Sequence, residues 1–301
     1  MALGESGRNP LNPRSTAEGA CALRAAGALE RDAAVRCPDG MAADFLGGLN
    51  VTTLAKYRAT KGLFVRAASR QPPGAYTYEI ARAKFIDEVV LGEAKRGLDE
   101  LILLGAGLDS RPYRLAEQLR GVRVFELDHP ASLESKRARL RRLLGQEPDH
   151  VIFTAIDFNR DDLDATLADA GHERSARTLL VWSGVSMYLP ERAVGEVLTW
   201  VAGRDDPPAS IVFDAAWAEA IDGSRDYFGA TEIRERVAEL EEPLRWGIPE
   251  GRVEETLSRF GLRSERVLDS EETRTRYLRR SDGTLHDRPY GFCALVHARA
   301  G

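Results

Sequence analysis

Short apolar runs, typical of strands, alternate with longer segments of helical spacing over most of the chain. The runs 101–104 and 179–182 are apolar throughout, as expected for central parallel strands buried on both faces. The predicted strands are Glu100–Leu104, Val122–Leu127, Val151–Ile156, Thr178–Trp182, Ser210–Asp214, Ser264–Leu268 and Gly291–His297. The pattern predicts an α/β fold with a doubly wound, mostly parallel, seven-stranded Rossmann-like sheet.

The regions that flank and interrupt this pattern are predicted to be helical. A polar leader through about residue 15 precedes helix-compatible segments at 53–68 and 78–94. Residues 217–248 are too long for a simple crossover, so we expect a helical insertion after the fifth strand that serves as a lid. Since no internal repeat is evident, we expect one compact domain with a leader and helical cap over 1–96 and a core over 97–301.

Composition narrows the classes of function. The 301 residues are 43% hydrophobic and carry a net charge of -5, which argues against a protein devoted to nucleic acid. The three cysteines show no C-x-x-C spacing, so neither a disulfide framework nor a zinc site is indicated. No segment stays apolar for the roughly 18 residues of a membrane span. We expect a cytoplasmic protein without a metal.

The segment 136–142 is rich in Lys and Arg, with leucines at 133, 140, 143 and 144 on another helical face. This spacing predicts a helix whose basic face is solvated.

A glycine-rich loop follows the first predicted strand. Gly105 and Gly107 permit a tight turn against a ligand, and Asp128 ends the second strand 21 residues later, where an acid can bind ribose hydroxyls. The alternatives are close packing of strand and helix for the loop, and a helix cap for Asp128. Ser110 replaces the third glycine of a dinucleotide loop, which favours a smaller ligand without a pyrophosphate, such as S-adenosylmethionine.

Several segments resemble the leucine carboxyl methyltransferases and their bacterial relatives that methylate polyketide and other small-molecule acids. Residues 104–111 read LGAGLDSR and residues 125–130 read FELDHP, and together they look like the signature of this family. Residues 55–58 (AKYR), 80–82 (IAR) and 184–189 (GVSMYL) also match, so the resemblance spans most of the chain.

The resemblance implies S-adenosylmethionine as cofactor and places several residues around it. Lys56 and Arg82 would reach the methionine carboxylate, and Asp157 and Phe158 would border the adenine. A helix-surface position for the two cations, and a turn role for Asp157, are the alternatives. Ser183 stands where relatives usually have Glu, so only a hydroxyl contact is expected. The other predicted cofactor-binding residues are Gly105, Ala106, Gly107, Asp109 and Asp128.

Tyr188 is predicted to line the methyl-transfer site, or to be a core residue with its hydroxyl at the surface. In-line transfer from a sulfonium depends mainly on positioning. A carboxylic acid, with a pKa near about 4, is already ionised at neutral pH, whereas a hydroxyl gains from a base. Of the five histidines, His286 is the least implausible candidate for such a base. The expected position of His286 is nevertheless a loop surface. Arg111 or Arg288 would neutralise an acceptor carboxylate.

The sequence therefore favours an S-adenosylmethionine-dependent O-methyltransferase that acts on a carboxylate of a small natural-product molecule. The alternatives are methylation of a hydroxyl or phenol, a protein acceptor, a catalytically silent cofactor-binding subunit, and a nicotinamide dehydrogenase. We expect a small-molecule acceptor and no membrane or nucleic-acid partner, with a homodimer as the default assembly.

Overall fold

The computed structural model describes residues 15–46, 72–158, 160–204 and 207–301. Seven strands form one sheet in the order β3-β2-β1-β4-β5-β7-β6. They are β1 Glu100–Leu104, β2 Arg123–Asp128, β3 Val151–Ala155, β4 Thr178–Trp182, β5 Ser210–Ala216, β6 Leu262–Leu268 and β7 Cys293–Ala300. β1 to β5 run parallel, and β7 is antiparallel to both β5 and β6. The predicted seven-stranded, mostly parallel sheet is confirmed, with differences only at strand ends.

The central strands are mostly apolar because both of their faces are buried. Every residue of β1, β4 and β5 is buried. β1 pairs with both β2 and β4, with Leu101 opposite Val124 on one side and Leu179 on the other. The carboxyl ends of β1 and β4 therefore lie side by side in the middle of one sheet edge, where ligands bind in open α/β sheets.

The helices in the described part of the chain cover the sheet and its carboxyl edge. They are α1 Thr16–Gly27, α2 Ala42–Phe45, α3 Ala75–Lys95, α4 Arg111–Arg114, α5 Pro130–Leu144, α6 Leu163–Asp169, α7 Glu191–Ala202, α8 Ala218–Asp222, α9 Ala230–Glu239, α10 Val253–Arg259 and α11 Ser270–Tyr277. α1 begins at Ser15, whose hydroxyl accepts a hydrogen bond from the N–H of Glu18. α11 begins with a capping box between Asp269 and Glu272.

The predicted cap shares its hydrophobic core with the sheet. The predicted helix at 78–94 lies within α3, which packs on α1 and buries Phe85, Ile86 and Val90 in the same cluster as Leu101. The predicted helix at 53–68, which carries Lys56, lies outside the described residues.

The segment between β5 and α10 contains two helices, α8 and α9, where we expected a helical insertion. Its two ends are tied together, since the N–H of Ile248 donates to the carbonyl of Ala216 at 2.9 Å and the N–H of Ala218 donates to Ile248 at 2.9 Å. The segment thus leaves the end of β5 and returns to it at Ile248.

The expected solvated basic face of α5 is wrong for two of its cations. Lys136 is buried because its Nζ lies 2.8 Å from Oε2 of Glu126, a fully buried acid on β2. Arg139 is buried against Glu18 of α1 and the carbonyl of Phe45. Two of the leucines expected to face the core, at 143 and 144, are instead 38% and 44% exposed.

The three cysteines, at 21, 37 and 293, are all unpaired and buried. Within the ranges that the structure describes, every helix is too short or too polar to cross a lipid bilayer.

Candidate active site

A cavity of about 610 Å³ opens at the carboxyl edge of the sheet, within the range of about 300–1,000 Å³ that is usual for small-molecule sites. Its wall is built from the ends of β1 to β5, the start of β7, helices α1 and α3, and the segment after β5. Ten of the eleven predicted site residues line it, namely Arg82, Gly105, Ala106, Gly107, Asp109, Asp128, Asp157, Phe158, Ser183 and Tyr188. The eleventh, Lys56, lies outside the described residues.

The loop after β1 folds back onto the end of β2. The N–H groups of Gly105 and Ala106 donate to the carbonyl of Leu127 at 2.8 and 3.0 Å. Gly105 has φ +64°, and a Cβ there would lie 2.6 Å from Cγ2 of Val185. Because L residues rarely adopt this conformation and no space exists for a side chain, the position requires glycine.

Asp128 faces the cavity and also fixes the loop. Its Oδ2 accepts the N–H of Gly107 at 2.7 Å, and its Oδ1 accepts the N–H of His129 at 2.7 Å. His129, rather than Asp128, occupies the N-cap of α5. A carboxylate has about four acceptor sites, so two bonded N–H groups leave capacity for a ligand hydroxyl.

A buried ion pair contacts the loop after β1. Nζ of Lys136, held by Glu126, lies 3.3 Å from the carbonyl of Ala106. Burial raises the pKa of Asp109, but the charges of Arg111 and Lys136 outweigh this effect and lower it to about 2. The Asp109 carboxylate binds both the guanidinium and the N–H of Arg111.

Arg82 presents a buried, fixed cation at the cavity wall, which excludes a helix-surface position. Its Nη1 donates to Oδ2 of Asp214 at 2.7 Å and its Nη2 donates to Oε1 of Glu79 at 2.5 Å. Burial lowers the pKa of Arg82, but the two carboxylates outweigh this and raise it well above its usual value. Asp214 also accepts the N–H of Gly184 at 2.6 Å and the hydroxyl of Tyr78 at 3.1 Å.

The ends of β3 and β4 complete this side of the cavity. Asp157 begins a turn in which its N–H donates to Oδ2 of Asp161 at 2.8 Å. Phe158 is partly buried and packs against the core, and Ser183 is partly buried beside Gly184.

Four aromatic side chains, Tyr78, Tyr188, Tyr290 and Phe292, also line the cavity. Burial raises the pKa of Tyr188, so its hydroxyl remains protonated at neutral pH. The ring of Tyr290 packs at a tilt against the rings of Tyr78 and Phe292, with centroids 5.2 and 4.7 Å away. The segment after β5 contributes further lining residues, including Ile233, Val237, Leu240, Pro243, Leu244 and Arg245.

This lining is anchored to the turn that carries Tyr188. The N–H groups of Arg245 and Trp246 both donate to the carbonyl of Met187, at 2.7 and 3.2 Å. Tyr188 and the segment after β5 are therefore held together at this short turn.

Of the three side chains predicted as candidate base or anion partner, two lie outside the cavity wall. His286 is buried beside Glu30 and does not line the cavity, so the expected loop-surface position is wrong. Arg288 stacks on Phe228 and lies outside the cavity wall. Arg111 lines the cavity, where its guanidinium is paired with two acids, Asp87 and Asp109.

Sequence reasoning did not assign Glu79 and Asp214, the two acids that hold Arg82. Glu79 had a readable signal, since it precedes Arg82 by three residues on one helix, a spacing that places both side chains on one face. The sequence predicts Asp214 only as the last residue of the fifth strand.

Similarity to known proteins identifies the family of this chain. The model of the leucine carboxyl methyltransferase family matches residues 17–202. The chain belongs to the leucine carboxyl methyltransferase family. A Streptomyces coelicolor relative named "Putative S-adenosyl-L-methionine-dependent methyltransferase" is 35% identical over 62% of each chain. The chain thus matches less than two thirds of the length of such curated relatives of the family.

Solved structures support the fold of this family member. A "duf574 family protein" from Streptomyces avermitilis superposes with a TM-score of 0.55 at 14% identity, covering 85% of this chain and 94% of that one. A "putative methyltransferase" from Thermobifida fusca gives a TM-score of 0.53 at 17% identity, covering 85% and 92%. At these identities the likeness shows the fold alone.

Proposed function

We propose that this chain is an S-adenosylmethionine-dependent O-methyltransferase. The observation that carries the proposal is that the glycine loop, Asp128 and Arg82 line one cavity at the carboxyl edge of the sheet. An acid for ribose hydroxyls and a guanidinium for a carboxylate suit the two ends of this cofactor. Membership in the leucine carboxyl methyltransferase family and the names of the relatives support the same activity.

The residues present fit the cofactor. Gly105, Asp128 and Arg82 line one cavity, and Asp128, with two N–H donors bound, keeps acceptor capacity for a ribose hydroxyl. When bound, the cofactor supplies an electrophilic methyl group on a sulfonium. The protein's own part is to hold the carboxylate at Arg82 and the ribose at Asp128, and to orient the acceptor beside Tyr188.

A carboxylate acceptor is supported by the protonation states of three side chains that line the cavity. Burial raises the pKa of Tyr188, Tyr290 and Cys293, so these groups stay protonated at neutral pH and do not act as bases. Asp214 is already occupied by three donors. A carboxylic acid, with a pKa near about 4, needs no base at neutral pH.

A small natural-product acid is favoured over a protein acceptor because two segments cover the cavity. Residues of α1 and of the segment after β5 both line it, and the N–H of Thr16 donates to Oε2 of Glu242 at 3.1 Å. This hydrogen bond joins the two segments at the cavity wall, which suits a compact acceptor with an apolar body.

Calorimetric titration with S-adenosylhomocysteine tests the cofactor part of the proposal. We expect saturable binding to the wild type and a loss of at least about 10-fold in Asp128→Ala, because a charged hydrogen-bond acceptor is removed. Asp149→Ala, an exposed acid outside the cavity, is the matched control and should bind normally. A wild type that binds no S-adenosylhomocysteine would overturn the proposal.

Transfer of a labelled methyl group to a panel of small carboxylic acids and phenols tests the acceptor. Label in the organic extract with a rate that is flat between pH 6 and 8 supports a carboxylate acceptor. A rate that falls sharply at the lower pH points to a hydroxyl acceptor and an essential base. Label in precipitated protein points to a protein acceptor. Tight cofactor binding without turnover points to a catalytically silent subunit.

A further inference from the structure

Glu79 carries a buried carboxylate oxygen that lacks a partner. The residue is 6% exposed and lines the cavity. Its Oε1 accepts from Arg82 at 2.5 Å, whereas its Oε2 has no hydrogen-bond donor among the described residues. A buried acceptor of this kind normally has a partner, since leaving a charged oxygen both desolvated and unbonded is unfavourable.

The nearest other cation does not satisfy this oxygen. Arg24 donates through Nε to Asp39 at 2.8 Å and through Nη2 to the carbonyl of Leu108 at 2.9 Å. Its Nη1 remains 3.6 Å from Oε2 of Glu79, beyond hydrogen-bond distance. The oxygen therefore lacks a donor within the described residues, on a side chain that lines the cavity.

The charges of this cluster are also unbalanced. Asp39, Glu79 and Asp214 are three acids, and the two guanidinium groups between them belong to Arg24 and Arg82. Within the described part of the chain this sequence of ion pairs therefore lacks one positive charge.

The adjacent cluster does not supply it. Arg111 and Arg114 bind the carboxylates of Asp87 and Asp109, so two cations meet two acids there. Arg114 approaches Asp39 only to 3.9 Å. A ligand that brings an ammonium group to Glu79 would complete the balance.

We propose that Glu79 binds the α-ammonium group of the cofactor's methionine moiety, beside the carboxylate site at Arg82. An ammonium has three donors and no acceptor, and a carboxylate has only acceptors, so the two groups are complementary. The Glu79–Arg82 pair then recognises an amino-acid zwitterion, with Asp214 fixing Arg82 from the other side. This inference rests on the proposed cofactor, and it assigns to Glu79 a role in affinity for the methionine moiety.

The test compares two ligands that differ only in the ammonium group. S-adenosylhomocysteine is titrated against 4-(adenosylthio)butanoate, in which hydrogen replaces the α-ammonium. We expect the wild type to bind the first ligand about 10- to 100-fold more tightly, as for hydrogen bonds between charged groups. In Glu79→Gln we expect the ratio to fall to roughly 3-fold or less, because the carboxylate charge is gone.

Glu93→Gln is the matched control. Glu93 is another buried acid on α3, paired with Arg96 and Arg299 and outside the cavity. It should lose stability comparably and keep the wild-type ratio of affinities. If Glu79→Gln fails to fold, Glu79→Asp retains the charge and withdraws the carboxylate by one methylene, and the ratio should fall partway.

The outcomes separate the two proposals. Equal wild-type affinity for both ligands, or a ratio unchanged in Glu79→Gln or Glu79→Asp, overturns the assignment of Glu79 and leaves the cofactor proposal standing. Absence of binding by either ligand overturns the cofactor proposal itself.

Discussion

The backbone N–H of Gly184 donates a 2.6 Å hydrogen bond to Oδ1 of Asp214, whose Oδ2 binds Arg82. The ends of β4 and β5 and helix α3 therefore meet at one buried carboxylate. The arrangement depends on the absence of a side chain at Gly184, which has φ +67° and where a Cβ would lie 2.6 Å from Nη1 of Arg82. The glycine thus sets the position of the guanidinium.

We expect Gly184→Ala to displace Arg82 and to weaken binding of S-adenosylhomocysteine by at least about 10-fold, the equivalent of one charged hydrogen bond. The left-handed backbone should cost roughly 1–2 kcal/mol of unfolding free energy in addition. Calorimetric titration and urea denaturation measure the two effects.

Gly251→Ala separates strain from displacement. Gly251 has φ +75°, and nothing lies within 4 Å of a Cβ built there. It should lose similar stability and bind S-adenosylhomocysteine like the wild type. Equal affinities in the two alanine variants would show that the methyl group at 184 leaves Arg82 in place.

The sheet was predictable because burial on both faces marks every position of a central strand. β1 and β4 have the predicted bounds, Glu100–Leu104 and Thr178–Trp182. β5 ends two residues later than predicted, at Ala216, and β7 is shifted from 291–297 to 293–300, because the two strands pair with Ser210 opposite Arg299 and Ala216 opposite Cys293. This antiparallel pairing joins distant segments and leaves little trace in the local pattern.

The site was predictable as a set of strand ends but not as a set of contacts. Parallel topology brings strand ends together whatever residues they carry, whereas the Arg82–Asp214 pair joins positions 132 residues apart. The same limit explains α5, where periodicity alone favoured Leu143 over Lys136 for the core. Lys136 is buried instead, because it pairs with Glu126, a buried acid on β2, whereas Leu143 is exposed.

We expect Lys136→Met to cost roughly 3–5 kcal/mol of unfolding free energy, because it leaves Glu126 buried without its cation. Burial raises the pKa of Glu126 even in the presence of Lys136, so the unpaired acid would be still less favourable. The double variant Lys136→Met/Glu126→Leu should recover much of the loss, although the hydroxyl of Tyr113 then lacks its acceptor. Urea denaturation followed by circular dichroism measures each value.

The control on the same helix is Arg137→Met. Arg137 is 43% exposed where it pairs with Glu147, and exposed pairs contribute only about 0–1 kcal/mol. If Lys136→Met lowers the free energy of unfolding no more than Arg137→Met, the buried Lys136–Glu126 pair does not stabilise the fold more than an exposed pair.

His297 on β7 gives the fold a dependence on pH. Burial lowers its pKa to about 4, and the opposing effect of Glu93, 4.0 Å away, is too weak to prevent this. An unfolded histidine has a pKa near about 6.5. Between these values the unfolded chain binds a proton that the folded chain excludes, so the contribution to stability is complete above pH 6.5 and is lost as the pH falls towards 4.

We expect His297 to account for about 2 kcal/mol of lost unfolding free energy between pH 7 and pH 5, from a shift worth about 1.4 kcal/mol per pH unit. The free energies of unfolding of the wild type and of His297→Gln at the two pH values give this contribution as a double difference, in which other titrating groups cancel. The variant should be less sensitive to acid than the wild type even if it is less stable at pH 7, because glutamine has no proton to gain. Parallel losses in the two proteins would mean that His297 is protonated in the folded state as readily as in the unfolded chain.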